Sequence, residues 1–456
     1  MSAGGYVTDV AYVGTFVGAS APCWLDHVAL LGGYATAAPA DGFAWCDLGC
    51  GTGLTANVLA ATHPRGSFHG LDLMPGHIES ARRLAAAAGV GNAVFHQGDF
   101  AGAEGFGLPQ FDYIAAHGVY SWVAPRARQE LLGFVDRHLK PGGRLYLSYN
   151  AMPGRAADLP LQRLVRSLAH SLPGDSAARV GAAAQVLRGL AQTRAPALQA
   201  AGMLALLTAP DGRVPPAYLA HELLAGDWEP LCVTDVRAAL RGIGLVPAGS
   251  ATLIENYDAF ALGAAARAAL DVIDDEDTRE LARDFLIDQH FRRDVYIRDG
   301  RPLDDEARAA ALLDATYTLG GPAARVGFAM ETPAGRLDFD SDAARRIVSG
   351  LVRGPRRLAD LADGTIPAED LLTPALVLCA SGAIVPVPGG RAAVAGLNRA
   401  ILDRLDGAEE IRVLALPCGT AIPAERGLLR RLRDGARLDD HPGWADFLTA
   451  QGLIGV

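Results

Sequence analysis

The stretch FAWCDLGCGTGLTANVLA, residues 43–60, decides the fold. An apolar run over 43–48 enters Asp47, then Gly49, Gly51 and Gly53, and the pattern becomes helical from 55 to 61. Glycines let a chain turn tightly and let its backbone approach a ligand. Placed between a strand and a helix, they put that turn at the carboxyl end of a first strand, where doubly wound sheets bind nucleotides.

Outward from that turn the pattern repeats. Strands are expected at 67–73, 93–97, 111–115 and 143–149, with helices at 22–31, 76–88 and 128–139 between or before them. Short strands that alternate with helices imply parallel pairing, since parallel neighbours need crossover connections. A further helix is expected at 234–242. A strand at 245–254 is expected to pair antiparallel with FRRDVYIR, 291–298.

The glycine turn departs from the GxGxxG dinucleotide loop. Its glycines run GxGxG, and the acid Asp47 precedes them. A carboxylate there would repel a pyrophosphate. It would attract the ammonium and sulfonium of S-adenosylmethionine (SAM), which carries no phosphate. Further elements follow in order at strand spacing. In FHGLDLMPGHI (68–78), Asp72 and Leu73 end the second strand, where an acid can hold ribose hydroxyls. In FHQGDF (95–100), Asp99 and Phe100 end the third, an acid and a ring suited to the adenine edge. FDYIAAHGVYSWV (111–123) ends the fourth, and LKPGGRLYLSYN (139–150) launches the fifth.

Composition narrows the class. The chain has 456 residues, half hydrophobic and a fifth charged, which is ample for a sizeable core. Its net charge of −10 argues against a nucleic-acid partner. The six cysteines form no CxxC pair, so neither zinc nor a disulfide framework is expected, and no metal. The first residues, MSAGGYVTDVAYVG, have no basic n-region and no apolar h-region, and no stretch is apolar enough to span a membrane; a cytoplasmic location is expected.

The expected domains are an N-terminal extension (1–40, with Tyr6, Tyr12 and Phe16), a SAM-binding core (41–155) and a helical insertion over the carboxyl edge of the sheet (156–227). The end of the core with a regulatory region (228–300) and a C-terminal domain (301–456) follow. Within the last, about 325–390 reads as a winged-helix-like module that closes on the hairpin VPVPGGRAAV, and the tail beyond 395 reads as mostly helical. The acidic DFDSD at 338–342 turns that module toward protein contacts rather than DNA.

Residues 43–150 resemble the class I SAM-dependent methyltransferases. HGVYSWV (117–123), SYNAMPG (148–154), YLAHELL (218–224) and FRRDVYIR resemble, more narrowly, bacterial methyltransferases with a methyltransferase regulatory domain, which include rickettsial-type protein-lysine N-methyltransferases. The resemblance implies a Rossmann-like sheet and SAM as cofactor. It implies that Asp47, Gly49 and Gly51 (beside Gly53) line the methionine end, Asp72 (with Leu73 next to it as a further cofactor contact) the ribose, Asp99 and Phe100 the adenine, and His117 and Gly118 the methyl-donor pocket.

Methyl transfer is an in-line displacement, so the protein must align donor and nucleophile and exclude water. Tyr120, Trp122 and Asn150, just beyond the fourth and fifth strands, are the candidate acceptor channel. The competing reading makes Trp122 and Tyr149 core aromatics. His221 and Glu222 read as a satisfied pair on an amphipathic helix or as part of the acceptor mouth. DDEDTRE (274–280) reads as a solvated helix start, with attraction of a basic protein substrate as the alternative. A protein lysine is the expected acceptor and a small molecule the alternative. A SAM-binding regulator is a third reading, and a homodimer stays open.

Overall fold

The computed structural model describes residues 7–10, 14–36, 42–209, 214–406 and 411–453. Tyr6 and Tyr12 of the expected extension lie outside them.

The centre is a seven-stranded sheet: β1 (Ala44–Leu48), β2 (Ser67–Asp72), β3 (Ala93–Gln97), β4 (Phe111–Ala116), β5 (Leu139–Asn150), β6 (Leu245–Ser250) and β7 (Phe291–Arg298). The order is β3-β2-β1-β4-β5-β7-β6. The first five strands are parallel. β7 slots antiparallel between β5 and β6, as its pairing with 245–254 requires. β6 is shorter than the sequence suggests. Gly249 breaks the register, and the Asn256 side chain then takes both backbone groups of Ser250, at 2.7 Å each, turning the chain into a short 3-10 segment at Leu253–Asn256.

Helices α1 (Pro22–Leu31), α2 (Leu54–Thr62), α3 (Pro75–Ala88) and α4 (Pro125–His138) pack on the two faces. β1 is buried along its whole length, which explains its unbroken apolar run. Both strand ends that carry acids, at Asp47 and Asp72, therefore open on the same edge of the sheet as the glycine turn.

Between β5 and β6 come α5 (Asp158–His170), α6 (Ser176–Ala191), α7 (Pro196–Gln199), α8 (Met203–Thr208), α9 (Pro216–Leu224) and α10 (Val233–Arg241). The first five lie within residues 158–224. They have a core of their own, in which Val165, Val180, Leu187 and Leu223 pack with Trp122 and Trp228. The short helices α11 (Asp258–Ala261) and α12 (Ala264–Leu270) and the longer α13 (Glu276–Leu286) lead to β7. DDEDTRE is spent here. Asp275 caps α13 through the Thr278 amide at 2.8 Å, Asp277 pairs with Arg237 and Arg241, and Glu280 pairs with the buried Arg292.

The C-terminal region begins with α14 (Asp305–Asp314) and β8 (Thr316–Leu319), a strand ahead of the module expected from about 325. Next come the hairpin β9 (Ala329–Thr332) and β10 (Gly335–Asp338), α15 (Asp342–Leu351), β11 (Arg356–Arg357), α16 (Leu372–Ala380) and β12 (Ile384–Val387). β8 lies between β11 and β12. The expected hairpin VPVPGGRAAV has one strand arm only. Past the glycines the chain turns away, and the Ala392 amide donates to the Pro417 carbonyl at 2.7 Å. The tail holds α17 (Ala395–Leu402), the hairpin β13 (Val413–Leu416) and β14 (Thr420–Pro423), α18 (Arg426–Arg433) and α19 (Trp444–Ala450), so it is less uniformly helical than its pattern suggests. Leu397, Ile401, Val413 and Ala421 pack on Leu54, Val58 and Leu84, the outer faces of α2 and α3.

Candidate active site

A cavity of about 790 Å³ opens at the carboxyl edge of the parallel strands. The core supplies one wall, including Asp47, Gly49, Gly51, Asp72, Leu73, Asp99, Phe100, His117 and Gly118. Residues from the insertion and β7 supply the other.

Backbone builds the core wall. Asp72 ties it together: one carboxylate oxygen accepts the Gly51 amide at 2.8 Å, the other the Met74 amide at 2.8 Å and His77 Nδ1 at 3.1 Å. Gly51 has φ +54° and a Cβ added there would meet no protein atom within 4 Å; the same is true of Gly118 at φ +63°. Both glycines line the cavity, so that empty space is room for a ligand lying against bare backbone. Gly53 serves packing instead. It is not on the cavity wall, and a Cβ on it would stand 2.4 Å from Ala81 Cβ.

Asp47 is buried, and burial first, then the Asp72 charge, pushes its carboxyl up to about 7. A cation placed beside it would reverse that. Leu73 is 46% exposed, an apolar side chain left uncovered on the cavity wall. The Asp99 side chain accepts the Gly102 amide at 2.7 Å, which fixes the turn that carries Phe100. His117 Nδ1 meets the Tyr146 hydroxyl at 2.9 Å and the Ser148 hydroxyl at 3.0 Å, and Ser148 Oγ also accepts the Gly118 amide at 2.8 Å. Burial, and then Arg293, holds His117 down at about 4, so its ring is neutral.

The second wall contains Trp122, Asn150, Arg155, Tyr218, His221, Glu222, Phe291 and Arg293. Trp122 has two neighbourhoods. It lines the cavity and also stacks on Trp228, ring centres 5.9 Å apart, in the insertion core. Asn150 is fixed through its backbone: its amide donates to Ser121 Oγ at 2.9 Å and its carbonyl accepts the Leu231 amide at 2.9 Å. Tyr120 is not brought to the cavity. It packs in the core with Leu131 and Phe134 and lies under the Arg128 guanidinium, 5.9 Å from its ring centre. A tight turn, closed by the Trp122 amide donating to the Val119 carbonyl at 2.8 Å, separates them: Trp122 takes the cavity side and Tyr120 the sheet side. Tyr149 is fully buried and donates to Asp294 at 2.9 Å.

Tyr218, His221 and Glu222 were underweighted in the sequence. Their i, i+3, i+4 spacing on α9 is the signal that could have grouped them. Tyr218 hydrogen-bonds Glu222, and burial, opposed by Arg155 and by that bond, raises the Glu222 carboxyl to about 7. His221 Nε2 meets the Val10 carbonyl at 2.9 Å, fastening the N-terminal segment to the insertion. Among the described residues no group of three or more His, Cys, Asp or Glu could hold a metal ion. No helix among them is long and apolar enough to cross a membrane.

The sheet order and the glycine-lined cavity define a Rossmann-like methyltransferase fold. Residues 46–145 match the model of a methyltransferase domain, and residues 215–298 that of a predicted methyltransferase regulatory domain. An uncharacterised protein of Synechocystis sp. is 32% identical over 78% of this chain and 71% of its own length. The chain belongs to the family of SAM-dependent methyltransferases that carry a methyltransferase regulatory domain. Its fold matches that of PKMT2 from Rickettsia typhi, solved in complex with AdoHcy, with a TM-score of 0.70 over 96% of this chain and 91% of that one at 17% identity. A trans-aconitate 2-methyltransferase of Methylobacterium nodulans is 36% identical over 30% of this chain and 48% of its own length.

Proposed function

We propose that this methyltransferase acts on a protein lysine amine, with SAM held along the core wall. The observation that carries the cofactor placement is the pair of glycines, Gly51 and Gly118, whose missing side chains leave ligand space beside two carboxylates. In this reading Asp47 takes the ammonium of the methionine end, with Gly49 and Gly51 backing it. Asp72 has three of about four acceptor positions filled and offers the rest to the ribose. Leu73, Asp99 and Phe100 hold the base, and His117 and Gly118 shape the pocket for the transferable group. Bound SAM supplies a methyl group activated by the adjacent positive sulfur.

The second wall supports an amine acceptor. Trp122, Tyr218 and Phe291 present rings, which attract a cation and its methylated product. A neutral amine is required for attack, and with a pKa of about 10.4 only on the order of one lysine in a thousand is neutral at pH 7. A half-enclosed aromatic pocket lowers that pKa by desolvation. The motifs shared with rickettsial-type protein-lysine methyltransferases point the same way.

A second reading has its own observation. Arg155 and Arg293 stand on the same wall, and guanidinium groups recognise carboxylates. A small carboxylic acid acceptor would use them. Methyl-labelled SAM added to extracts of the source organism separates the two. Methyl-lysine in hydrolysed protein supports the first; label confined to small molecules supports the second. The chain contains a single lysine, Lys140, held to Asp112 at 2.8 Å, so Lys140→Arg gives a lysine-free enzyme and removes any self-labelling.

A further inference from the structure

Transfer to a lysine needs a group to remove a proton, because the amine arrives as an ammonium. We infer that Glu222 on α9 is that proton acceptor, a catalytic residue for the amine reading above, on which this inference rests. Its carboxylate takes one ammonium proton. The freed lone pair then forms the N–C bond as the C–S bond breaks and its electron pair returns to sulfur. The product is an N-methylammonium, and Glu222 releases its proton to solvent.

Geometry singles out Glu222 among the groups on the cavity wall. Asp47, Asp72 and Asp99 end core strands, and the last two already accept backbone amides. Glu130 is ion-paired to Arg126 at 2.9 Å. His117 Nδ1 is engaged by two hydroxyls, and its low basicity unfits it for the task. Glu222 is the wall carboxylate that the insertion contributes, in the same cavity as Asn150, Trp122 and Phe291. Tyr218, four residues earlier on α9, hydrogen-bonds it, and Arg155 after β5, itself paired to Asp158, acts on its charge; His221, Arg293 and His117 share the cavity wall. Tyr218, pushed up to about 12 by burial and by Glu222, stays protonated and donates to the carboxylate. An ordinary Glu lies about six pH units below a lysine; one near 7 lies about three and a half below, which makes the proton transfer a few hundredfold more favourable.

The test compares wild type with Glu222→Gln, measuring methyl-lysine formed in extract protein from labelled SAM between pH 6 and 9.5, with SAM affinity alongside. The wild-type rate is expected to rise through pH 7 as the carboxylate ionises and then level off. Glu222→Gln is expected to lose about 100-fold at pH 7.5 with SAM affinity unchanged within twofold. Its deficit should shrink about tenfold per pH unit above that, because only the amine's own ionisation remains. Glu222→Asp, which keeps the base, should retain the limb near pH 7. Equal rates in Glu222→Gln, or a deficit that is constant with pH, would overturn the proton-acceptor role while leaving the lysine reading standing. Absence of methyl-lysine with the wild-type enzyme, at intact SAM affinity, would overturn both.

Discussion

The two walls of the cavity are built by different means. The core wall is backbone: three strand ends, a glycine turn and one aspartate that gathers two amides and an imidazole. The second wall is side chain: Trp122 from β4's exit, Asn150 and Arg155 from β5's, Tyr218 and Glu222 from α9, Phe291 and Arg293 from β7. A backbone wall serves one unchanging ligand, since amides and turns leave little to vary. A side-chain wall can be rewritten for a new acceptor without disturbing the sheet. A cofactor site of this kind constrains the class of reaction and leaves the acceptor to residues scattered along the chain.

Three outcomes would break or sharpen that contrast. The largest effect is expected from Gly51→Ala. The methyl group meets no protein atom, so folding should lose only about 1–2 kcal/mol for an alanine in the left-handed region. It enters the ligand space, and SAM affinity measured by calorimetry should fall about 100-fold, the equivalent of roughly 2.7 kcal/mol. Unchanged affinity would mean that the wall is not backbone-limited. An intermediate effect is expected from pH. Asp47 sits near 7 without a cation, and the ammonium proposed to bind beside it would favour its ionised form. SAM affinity should therefore weaken as pH falls through 7, roughly tenfold between pH 7.5 and 6, and Asp47→Asn should flatten that dependence. The same shift lowers the stability of the ligand-free protein as pH rises from 4 toward 7, because the folded state holds a proton there that the unfolded chain has released. The smallest effect is expected from Tyr120→Phe. Its ring lies off the cavity and phenylalanine keeps that ring in the core, so SAM affinity and methyl transfer should stay within about twofold of wild type. A tenfold loss of turnover would return Tyr120 to the acceptor channel.

The contrast also explains what could be read beforehand. The sheet, its helices and the core wall were legible, because strand ends and glycine turns are local features whose spacing follows from element length. The antiparallel β6–β7 pair was legible from the apolar 245–254 and the mixed FRRDVYIR, although the Asn256 side chain that shortens β6 was not. The second wall was legible only in part. Trp122 and Asn150 lie next to strands already placed. Tyr120 and Trp122 are two residues apart, and which of them faces the cavity depends on the packing of Arg128 and Trp228. Glu222 had one local sign, its i−4 neighbour Tyr218 on α9; the Arg155 that acts on its charge comes from beyond β5 and left none. The hairpin expected at 385–394 failed for a similar reason: the Pro417 carbonyl, distant in sequence, claims the amide its second arm would have used.

The contact between the tail and α2 has a consequence for how such chains diverge. Among the described residues none beyond Arg293 lines the cavity, yet Leu397, Ile401 and Val413 cover the outer side of the helix that starts at the glycine turn. Gly396 comes so near α3 that a Cβ on it would stand 2.6 Å from the Ala88 carbonyl oxygen. Cutting the chain near 300 would bare Leu54, Val58 and Leu84 to water, and the loss would register as poor cofactor binding rather than as a missing module. The last third of the chain is thus not a bead that relatives can exchange on a string. Grafts between family members should succeed only when the outer faces of α2 and α3 travel with it.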